Sequence, residues 1–304
     1  MDILLPPALE KGDKIVIISP SSALADASIV EGAKQTLEKW GFSVEVAPHA
    51  LGKAGHFAGT DDERRADLTD ALRREDVKCI LCSRGGYGAM RLLEEAELTL
   101  LQKHPKWLIG FSDITALHAS ITNQGCCSLH APMAKALAHS HSQKSTLTAM
   151  KKILMGTGSM TYEVKANKHN ISGEAEGRLF GGNLSLLYAL QGTPYQFPIE
   201  KGDILFIEDL SEKLYHIDRM MHNLRLSGML GKIGGLIVGT FSDITPNPNF
   251  GQTLEDIMLA SVKGYNIPVC FGFPVGHEGK NVPLIEGARV RLTVNAEKST
   301  LVQK

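Results

Sequence analysis

The chain has no surplus of charge of either sign. Its 304 residues include 32 lysines and arginines and 33 aspartates and glutamates, so the formal net charge is −1 at pH 7. A basic patch is the usual electrostatic footprint of nucleic-acid binding or of contact with an anionic membrane. We therefore expect no nucleic-acid and no membrane partner, and we predict a small or peptide-sized ligand.

The N-terminus lacks the features of a targeting segment. The stretch MDILLPPALEKGDK has an acid at its second position and a pair of prolines inside a very short apolar run. A secretory signal begins with basic residues, and a membrane-spanning helix needs about 20 apolar residues. The prediction is a cytoplasmic protein.

Cysteine is scarce and its number is odd, at five residues. Most of the cysteines stand in apolar, strand-like surroundings, so we predict buried, reduced thiols. Cys79 and Cys82 form a C-x-x-C within a predicted strand, whereas in redox proteins this motif opens a helix. Thiol chemistry is therefore not expected.

Motifs for metals and nucleotides are also missing. There is no H-E-x-x-H, and the H-x-H of His139 and His141 lies in a polar stretch that predicts solvated side chains. SRGGYG at 83–88 is neither G-x-G-x-x-G nor a Walker loop, because Arg91 occupies the last glycine position and no G-K-[ST] follows. We predict neither a metal nor a cofactor.

The first half of the chain alternates strand and helix patterns. The predicted strands are 14–20, 42–48, 77–83 and 107–111, and the predicted helices are 26–41, 61–75, 87–97 and 113–125. Repeated units with continuous apolar strands predict an α/β fold, a doubly wound parallel sheet with helices on both faces. In such sheets, sites form beyond the carboxyl ends of the strands.

The second half has shorter and more mixed units, which predicts a second, smaller domain. Its predicted strands are 203–210, 235–241 and 288–295, and its predicted helices are 213–228 and 253–265. Between these halves, polar and glycine-bearing stretches surround one helix at 146–155. We predict an N-terminal α/β domain over 1–140, a connection over 141–175 and a mixed, β-rich C-terminal domain over 176–304.

Ser112 is placed where a predicted strand meets a predicted helix. A serine on a tight strand-to-helix turn exposes its hydroxyl, while the amide of the next residue and the start of the helix offer donors for an oxyanion. GFSDI lacks the second glycine of G-x-S-x-G, because Ile114 takes its place. The alternative is that Ser112 or Asp113 caps the helix.

Other strand ends carry further candidates. In SRGGYG, glycines let the backbone approach an anion and Arg84 adds charge, with a packing turn and a structural salt bridge as the alternatives. His277, in the loop after PVCFGFP, is a candidate base or a surface histidine. Glu208 and Asp209 both end the run DILFI, where either could orient a histidine or favour the start of the next helix.

Taken together, SRGGYG, GFSDIT, FIEDL followed by YHIDRM, and FPVGH resemble the LD-carboxypeptidases, a serine peptidase family. The resemblance runs nearly the whole length of the chain, from ISPSS onward. It implies a Ser112, Glu208, His277 triad, with the serine in the N-terminal domain and the other two residues in the C-terminal domain. It also implies that the backbone amides of Gly86 and Asp113 are the oxyanion donors.

The family includes muramoyltetrapeptide carboxypeptidase and the microcin C immunity proteins. The resemblance implies release of a terminal D-alanine from a murein tetrapeptide in cytoplasmic peptidoglycan recycling, with Arg84 as the candidate for binding the terminal carboxylate. It also implies a homodimer as one candidate assembly. The alternatives are an immunity-type peptidase acting on a peptidyl-nucleotide antibiotic, a non-catalytic small-molecule binding protein and a metal-dependent peptidase.

Overall fold

The computed structural model describes residues 3–158, 160–245 and 247–303, and these residues form two compact units. The first unit takes in the residues up to Gly158 together with Val282–Gly287, and the second takes in the residues from 160 to Asn281 and from Ala288 onward. The helix predicted at 146–155 thus belongs to the first unit. Within the described ranges, no helix is both long enough and apolar enough to span a membrane.

The first unit alternates strands and helices along the chain. Its elements before residue 158 are β1 (Lys14–Ile18), α1 (Ser28–Lys39), β2 (Ser43–Val46), α2 (Asp61–Arg73), β3 (Val77–Cys82), β4 (Trp107–Gly110), α3 (Thr115–Asn123), β5 (Ser128–His130), α4 (Ala134–Ala138) and α5 (Lys144–Leu154). Short 3-10 turns lie at Ala89–Leu92, Leu98–Gln102 and Ser112–Ile114.

The rest of the chain is richer in strands. Its elements are β6 (Met160–Lys165), β7 (Gly173–Asn183), α6 (Leu184–Leu190), β8 (Ile204–Leu210), α7 (Leu214–Leu226), β9 (Gly235–Ser242), α8 (Leu254–Val262), β10 (Val269–Phe271), β11 (Leu284–Glu286), β12 (Arg289–Val294) and β13 (Lys298–Gln303). A 3-10 turn lies at Pro248–Phe250. Of these elements, β11 belongs to the first unit.

The sheet of the first unit has the order β11-β5-β4-β3-β1-β2. Its strands are parallel from β2 to β5, and β11 adds an antiparallel edge. Consecutive residues of β1 and β4 are buried, as expected when elements cover both faces of a parallel sheet. The predicted parallel α/β sheet is confirmed, and it brings the carboxyl ends of β1, β3 and β4 side by side.

The sheet of the second unit is mixed, as predicted. Its order is β10-β9-β8-β7-β12-β13-β6. The strands from β10 to β7 are parallel, whereas β7, β12, β13 and β6 pair antiparallel. Glu208 lies near the end of β8, and His277 lies in the loop that follows β10.

The helix predicted at 87–97 is wrong. Only a 3-10 turn at Ala89–Leu92 forms there, followed by turns. It follows Gly88, which has a φ of 134°, and the amide of Ala89 donates to the carboxylate of Asp113 at 2.8 Å. The apolar spacing predicts a helix, but the amides of Arg91 and Leu93 donate to the carbonyls of Gly88 and Met90, three residues back, at 3.1 and 3.3 Å, which is the 3-10 pattern.

Candidate active site

Ser112 has a backbone conformation that is rare for its residue type. Its φ is 63°, directly after the extended Phe111 and at the start of the 3-10 turn that leads into α3. Gly110 permits this tight turn, because a Cβ at that position would lie 2.8 Å from the side chain of Ile114. A non-glycine residue in the left-handed region costs on the order of 1–3 kcal/mol, and such residues cluster at active sites.

Two glycines of SRGGYG let this loop lie directly against the serine turn. A Cβ on Gly85 would be 3.0 Å from the Cβ of Ser112 and 3.2 Å from the amide nitrogen of Asp113. Gly86 has a φ of 110°, and a Cβ there would be 2.3 Å from the hydroxyl of Ser22. A Cβ would clash with Ser22 at Gly86 and would be tightly crowded at Gly85, so the two glycines allow the close approach.

The amides of Gly86 and Asp113 are the predicted oxyanion donors. Within the part of the first unit that the structure describes, neither N–H donates a hydrogen bond to a protein group. An oxyanion site requires donors that are kept free for the developing charge. Both amides meet this requirement.

The side chain of Asp113 is buried and tied to two other segments. Its Oδ2 accepts hydrogen bonds from the hydroxyl of Ser21 at 2.6 Å and from the amide of Ala89 at 2.8 Å. Phe111 and Ile114 stand at the N-cap positions of the 3-10 turn and of α3, and neither makes a side-chain cap hydrogen bond to the described residues. The alternative that Ser112 or Asp113 caps the helix is therefore wrong.

A buried histidine supports the end of β4. The Nε2 atom of His118 lies 2.9 Å from the carbonyl of Gly110, and its Nδ1 atom lies 2.7 Å from the hydroxyl of Ser128. Burial lowers the pKa of His118 to about 4, so the ring is neutral at pH 7. The neutral ring donates from Nε2 to Gly110 and accepts from Ser128.

In the second unit, His277 and Glu208 form a close pair. The Nδ1 atom of His277 lies 2.7 Å from the Oε2 atom of Glu208, which is fully buried. Burial raises the pKa of Glu208, and the hydrogen bond from His277 acts in the opposite direction. A carboxylate on Nδ1 holds the ring in the orientation that leaves Nε2 for proton transfer.

Asp209 has a different set of partners. Its Oδ1 accepts from the side-chain amide of Asn183 at 2.8 Å, and its Oδ2 accepts from the amide and the hydroxyl of Ser185 at 2.9 and 2.7 Å. These contacts hold the start of α6. Of the two neighbouring acids, Glu208 is the one that contacts the histidine.

The predicted carboxylate-binding residue, Arg84, is engaged by the main chain of its own unit. Its Nη1 donates to the carbonyl of Ala23 at 2.8 Å, and its Nε donates to the carbonyl of Gly85 at 3.2 Å. No carboxylate pairs with it among the described residues. The side chain is half-buried beside the glycine loop.

The cysteines and the H-x-H histidines are as buried or as exposed as the sequence predicts. All five cysteines are buried, as predicted, and burial raises the pKa of Cys126 to about 11. His139 and His141 are exposed, as expected for solvated side chains. Across residues 3–158, 160–245 and 247–303, no cluster of three or more potential metal ligands is found.

Sequence reasoning missed several contributors to the first unit's site. Ser21 and Ser22 follow β1 within ISPSS, the Asp113 carboxylate lies next to the predicted nucleophile, and His118 lies inside α3. Ser21 and Ser22 could have been predicted as site residues, because they lie beyond the end of a strand. Nothing in the local sequence distinguished His118.

Two family models match the chain in succession. The LD-carboxypeptidase N-terminal domain matches residues 15–131, and the LD-carboxypeptidase C-terminal domain matches residues 176–292. A probable murein peptide carboxypeptidase from Bacillus subtilis is 35% identical, over 98% of this chain and 94% of that protein.

Solved structures agree with these matches. A muramoyltetrapeptide carboxypeptidase from Oxalobacter formigenes is 30% identical, with a TM-score of 0.86 over 95% of this chain and 98% of that one. An MccF-like protein from Bacillus anthracis str. Ames is 26% identical, with a TM-score of 0.86 over 99% of both chains. The chain therefore belongs to the LD-carboxypeptidase family and is a serine-type carboxypeptidase.

Proposed function

We propose that this enzyme removes the terminal D-alanine from a murein tetrapeptide in cytoplasmic peptidoglycan recycling. The observation that carries the proposal is the left-handed Ser112 at the carboxyl end of β4, beside two amides that have no acceptor among the described residues of the first unit. A serine at such a turn is suited to attack a carbonyl, and the amides beside it are suited to stabilise the oxyanion that results.

Each group has one role in the proposed reaction. The Oγ of Ser112 attacks the carbonyl carbon of the L-residue, and its proton passes to Nε2 of His277. Glu208 holds Nδ1 of His277 and stabilises the imidazolium. The amides of Gly86 and Asp113 bind the oxyanion of the tetrahedral intermediate.

The intermediate then collapses. The C–N bond breaks, His277 gives its proton to the departing amine of D-alanine, and an ester to Ser112 remains. Water attacks this ester with His277 as base, and the tripeptide leaves with a new carboxylate. The net reaction consumes one water molecule and restores the serine.

The murein substrate is supported by the names of the relatives that act on murein peptides. Arg84 is proposed to stand near the substrate's terminal carboxylate. Since its Nη1 and Nε already donate to main-chain carbonyls, this role would rest on the remaining Nη2. The proposed assembly is a homodimer.

A substrate panel tests the proposal. The purified enzyme is incubated with L-Ala-γ-D-Glu-L-Lys-D-Ala, with its diaminopimelate analogue, with a sugar-linked tetrapeptide and with an aminoacyl sulfamoyl nucleoside. We expect loss of one D-alanine from a murein peptide, read by mass spectrometry. Cleavage of the nucleoside conjugate alone would overturn the murein proposal in favour of an immunity-type peptidase, to which the 26% identity with the microcin C7 self-immunity protein MccF from Escherichia coli points.

A further inference from the structure

The carboxylate of Asp113 is a buried acid that the proposed mechanism does not use. The residue is 1% exposed, and only its backbone amide has a role in the reaction. Removing a carboxylate from water is costly unless hydrogen bonds compensate. Its compensation comes from two donors on one oxygen, Oδ2: the hydroxyl of Ser21 at 2.6 Å and the amide of Ala89 at 2.8 Å.

These two hydrogen bonds join three chain segments. Ser21 follows β1, Ala89 ends the glycine loop that follows β3, and Asp113 follows β4. The three strands are neighbours in the sheet. The side chain of Asp113 therefore links the turn that carries Ser112 to the far end of the loop that carries Gly86.

The glycine loop is held at further points. The amide of Ser83 donates to the carbonyl of Ile18 at 2.8 Å, and the amide of Tyr87 donates to the hydroxyl of Ser22 at 3.0 Å. Ser22 in turn lies 2.7 Å from Nε2 of His56. The amides of Ser83 and Tyr87 are thus occupied, whereas that of Gly86 has no acceptor in the described part of the unit.

We infer that the Asp113 side chain is a positioning group that sets where the Gly86 amide stands relative to Ser112. One residue then supplies an oxyanion donor from its backbone and holds the second donor through its carboxylate. This inference rests on the proposed function for the roles of Ser112 and Gly86. What matters is the acceptor oxygen at the Oδ2 position, since both hydrogen bonds end there.

The test compares Asp113→Ala with Asp113→Asn. An asparagine oxygen in the Oδ2 position can accept both hydrogen bonds, so we expect Asp113→Asn to keep kcat within about tenfold of the wild type. Asp113→Ala should lower kcat about 100-fold with KM little changed, because oxyanion contacts are made in the transition state. Ser21→Ala removes one of the two donors, so it should also lower kcat with KM little changed, but by a smaller factor.

Inhibition by a transition-state analogue distinguishes a positioning role of Asp113 from a general loss of structure in the variant. The probe is the tripeptide L-Ala-γ-D-Glu-L-Lys with a boronic acid in place of the lysine carboxyl, which forms a tetrahedral adduct with serine. Its inhibition constant should rise in Asp113→Ala by the factor by which kcat/KM falls. Thr253→Ala, which removes the cap of α8, is the control for simple destabilisation and should leave both constants unchanged.

The rate at which a fluorophosphonate labels Ser112 gives a readout that does not depend on the peptide. If the wild type is labelled but releases no D-alanine, the proposed substrate is wrong. Labelling of Asp113→Ala that is slower than labelling of the wild type would still support the positioning role in that case. Wild-type kcat or labelling rate in folded Asp113→Ala would overturn the inference. So would a raised KM at unchanged kcat, or an Asp113→Asn variant as slow as Asp113→Ala.

Discussion

The strained φ of Ser112 is tolerated because neighbouring residues leave room for it. Gly110 and Gly85 have no Cβ at the points where the serine turn packs most closely. The sequence predicts a serine with an accessible hydroxyl at this turn, because Ser112 follows an apolar strand. Spacing could not distinguish Glu208 from Asp209, because the hydrogen-bond partners of Asp209, Asn183 at the end of β7 and Ser185 in α6, lie on other elements.

Gly85→Ala should reduce activity without unfolding the enzyme. The new Cβ would press on Ser112 and on the Asp113 amide at 3.0 and 3.2 Å, and misplacement of reacting groups by a fraction of an ångström is costly. We expect kcat/KM for the tetrapeptide to fall at least about tenfold. In the control Gly231→Ala, the new Cβ meets no atom closer than 3.5 Å, and activity should be retained.

His118 should make stability depend on pH in the acid range. Its folded pKa of about 4 lies below the ordinary value of 6.5, so the unfolded chain binds more protons between these values. The stability that the neutral ring contributes is present above pH 6.5 and is lost as the pH falls toward 4. The loss between pH 7 and pH 5 should be about 2 kcal/mol.

Chemical denaturation of the wild type and of His118→Gln at several pH values measures this effect. The difference in pH dependence between the two proteins isolates the histidine from the other titrating groups. Parallel curves for the two proteins would show that His118 does not contribute in this way.

At the scale of elements, the long apolar strands and amphipathic helices were predictable, whereas elements made by tertiary contacts were not. β1, β3, β4 and β8 follow continuous apolar runs and form close to the predicted positions. The segment after the glycine loop forms hydrogen bonds between residues three apart, such as that from the amide of Leu93 to the carbonyl of Met90 at 3.3 Å, and no continuous α-helix. β11 escaped prediction because it is a short edge strand that pairs with β5.

The N-terminus of α8 offers a test of local stability. The hydroxyl of Thr253 accepts from the amide of Asp256 at 3.1 Å, and the carboxylate of Asp256 accepts from the amide of Thr253 at 2.9 Å. Thr253→Ala should lower the free energy of unfolding by about 1 kcal/mol, whereas Thr253→Ser should restore most of it. Equal stability of all three proteins in urea denaturation would contradict this role.

At the scale of the whole molecule, the proposed triad draws on both units. Ser112 follows β4 of the first unit, whereas Glu208 and His277 follow β8 and β10 of the second. The repeated strand and helix patterns predicted two domains with the serine in the first. The pairing of His277 with Glu208 brings together residues far apart in the chain, and only the family resemblance indicated it.

Residues that act as one catalytic unit should show non-additive losses. We expect Ser112→Ala, His277→Gln and the double variant to reduce kcat to the same residual level, because removing one member already stops acylation. Fluorophosphonate labelling of Ser112 should also be lost in His277→Gln. If the losses of the single variants instead multiply in the double variant, the two residues act independently and the triad is refuted.

We propose that Ser112 catalyses release of D-alanine from a murein tetrapeptide. The most direct test is the rate at which D-alanine appears from L-Ala-γ-D-Glu-L-Lys-D-Ala, with wild type, Ser112→Ala and EDTA-treated wild type compared at equal concentration. We predict release by both wild-type samples at the same rate and none above background by Ser112→Ala. Release by Ser112→Ala at the wild-type rate, or loss of wild-type release on addition of EDTA, would contradict a serine mechanism at Ser112.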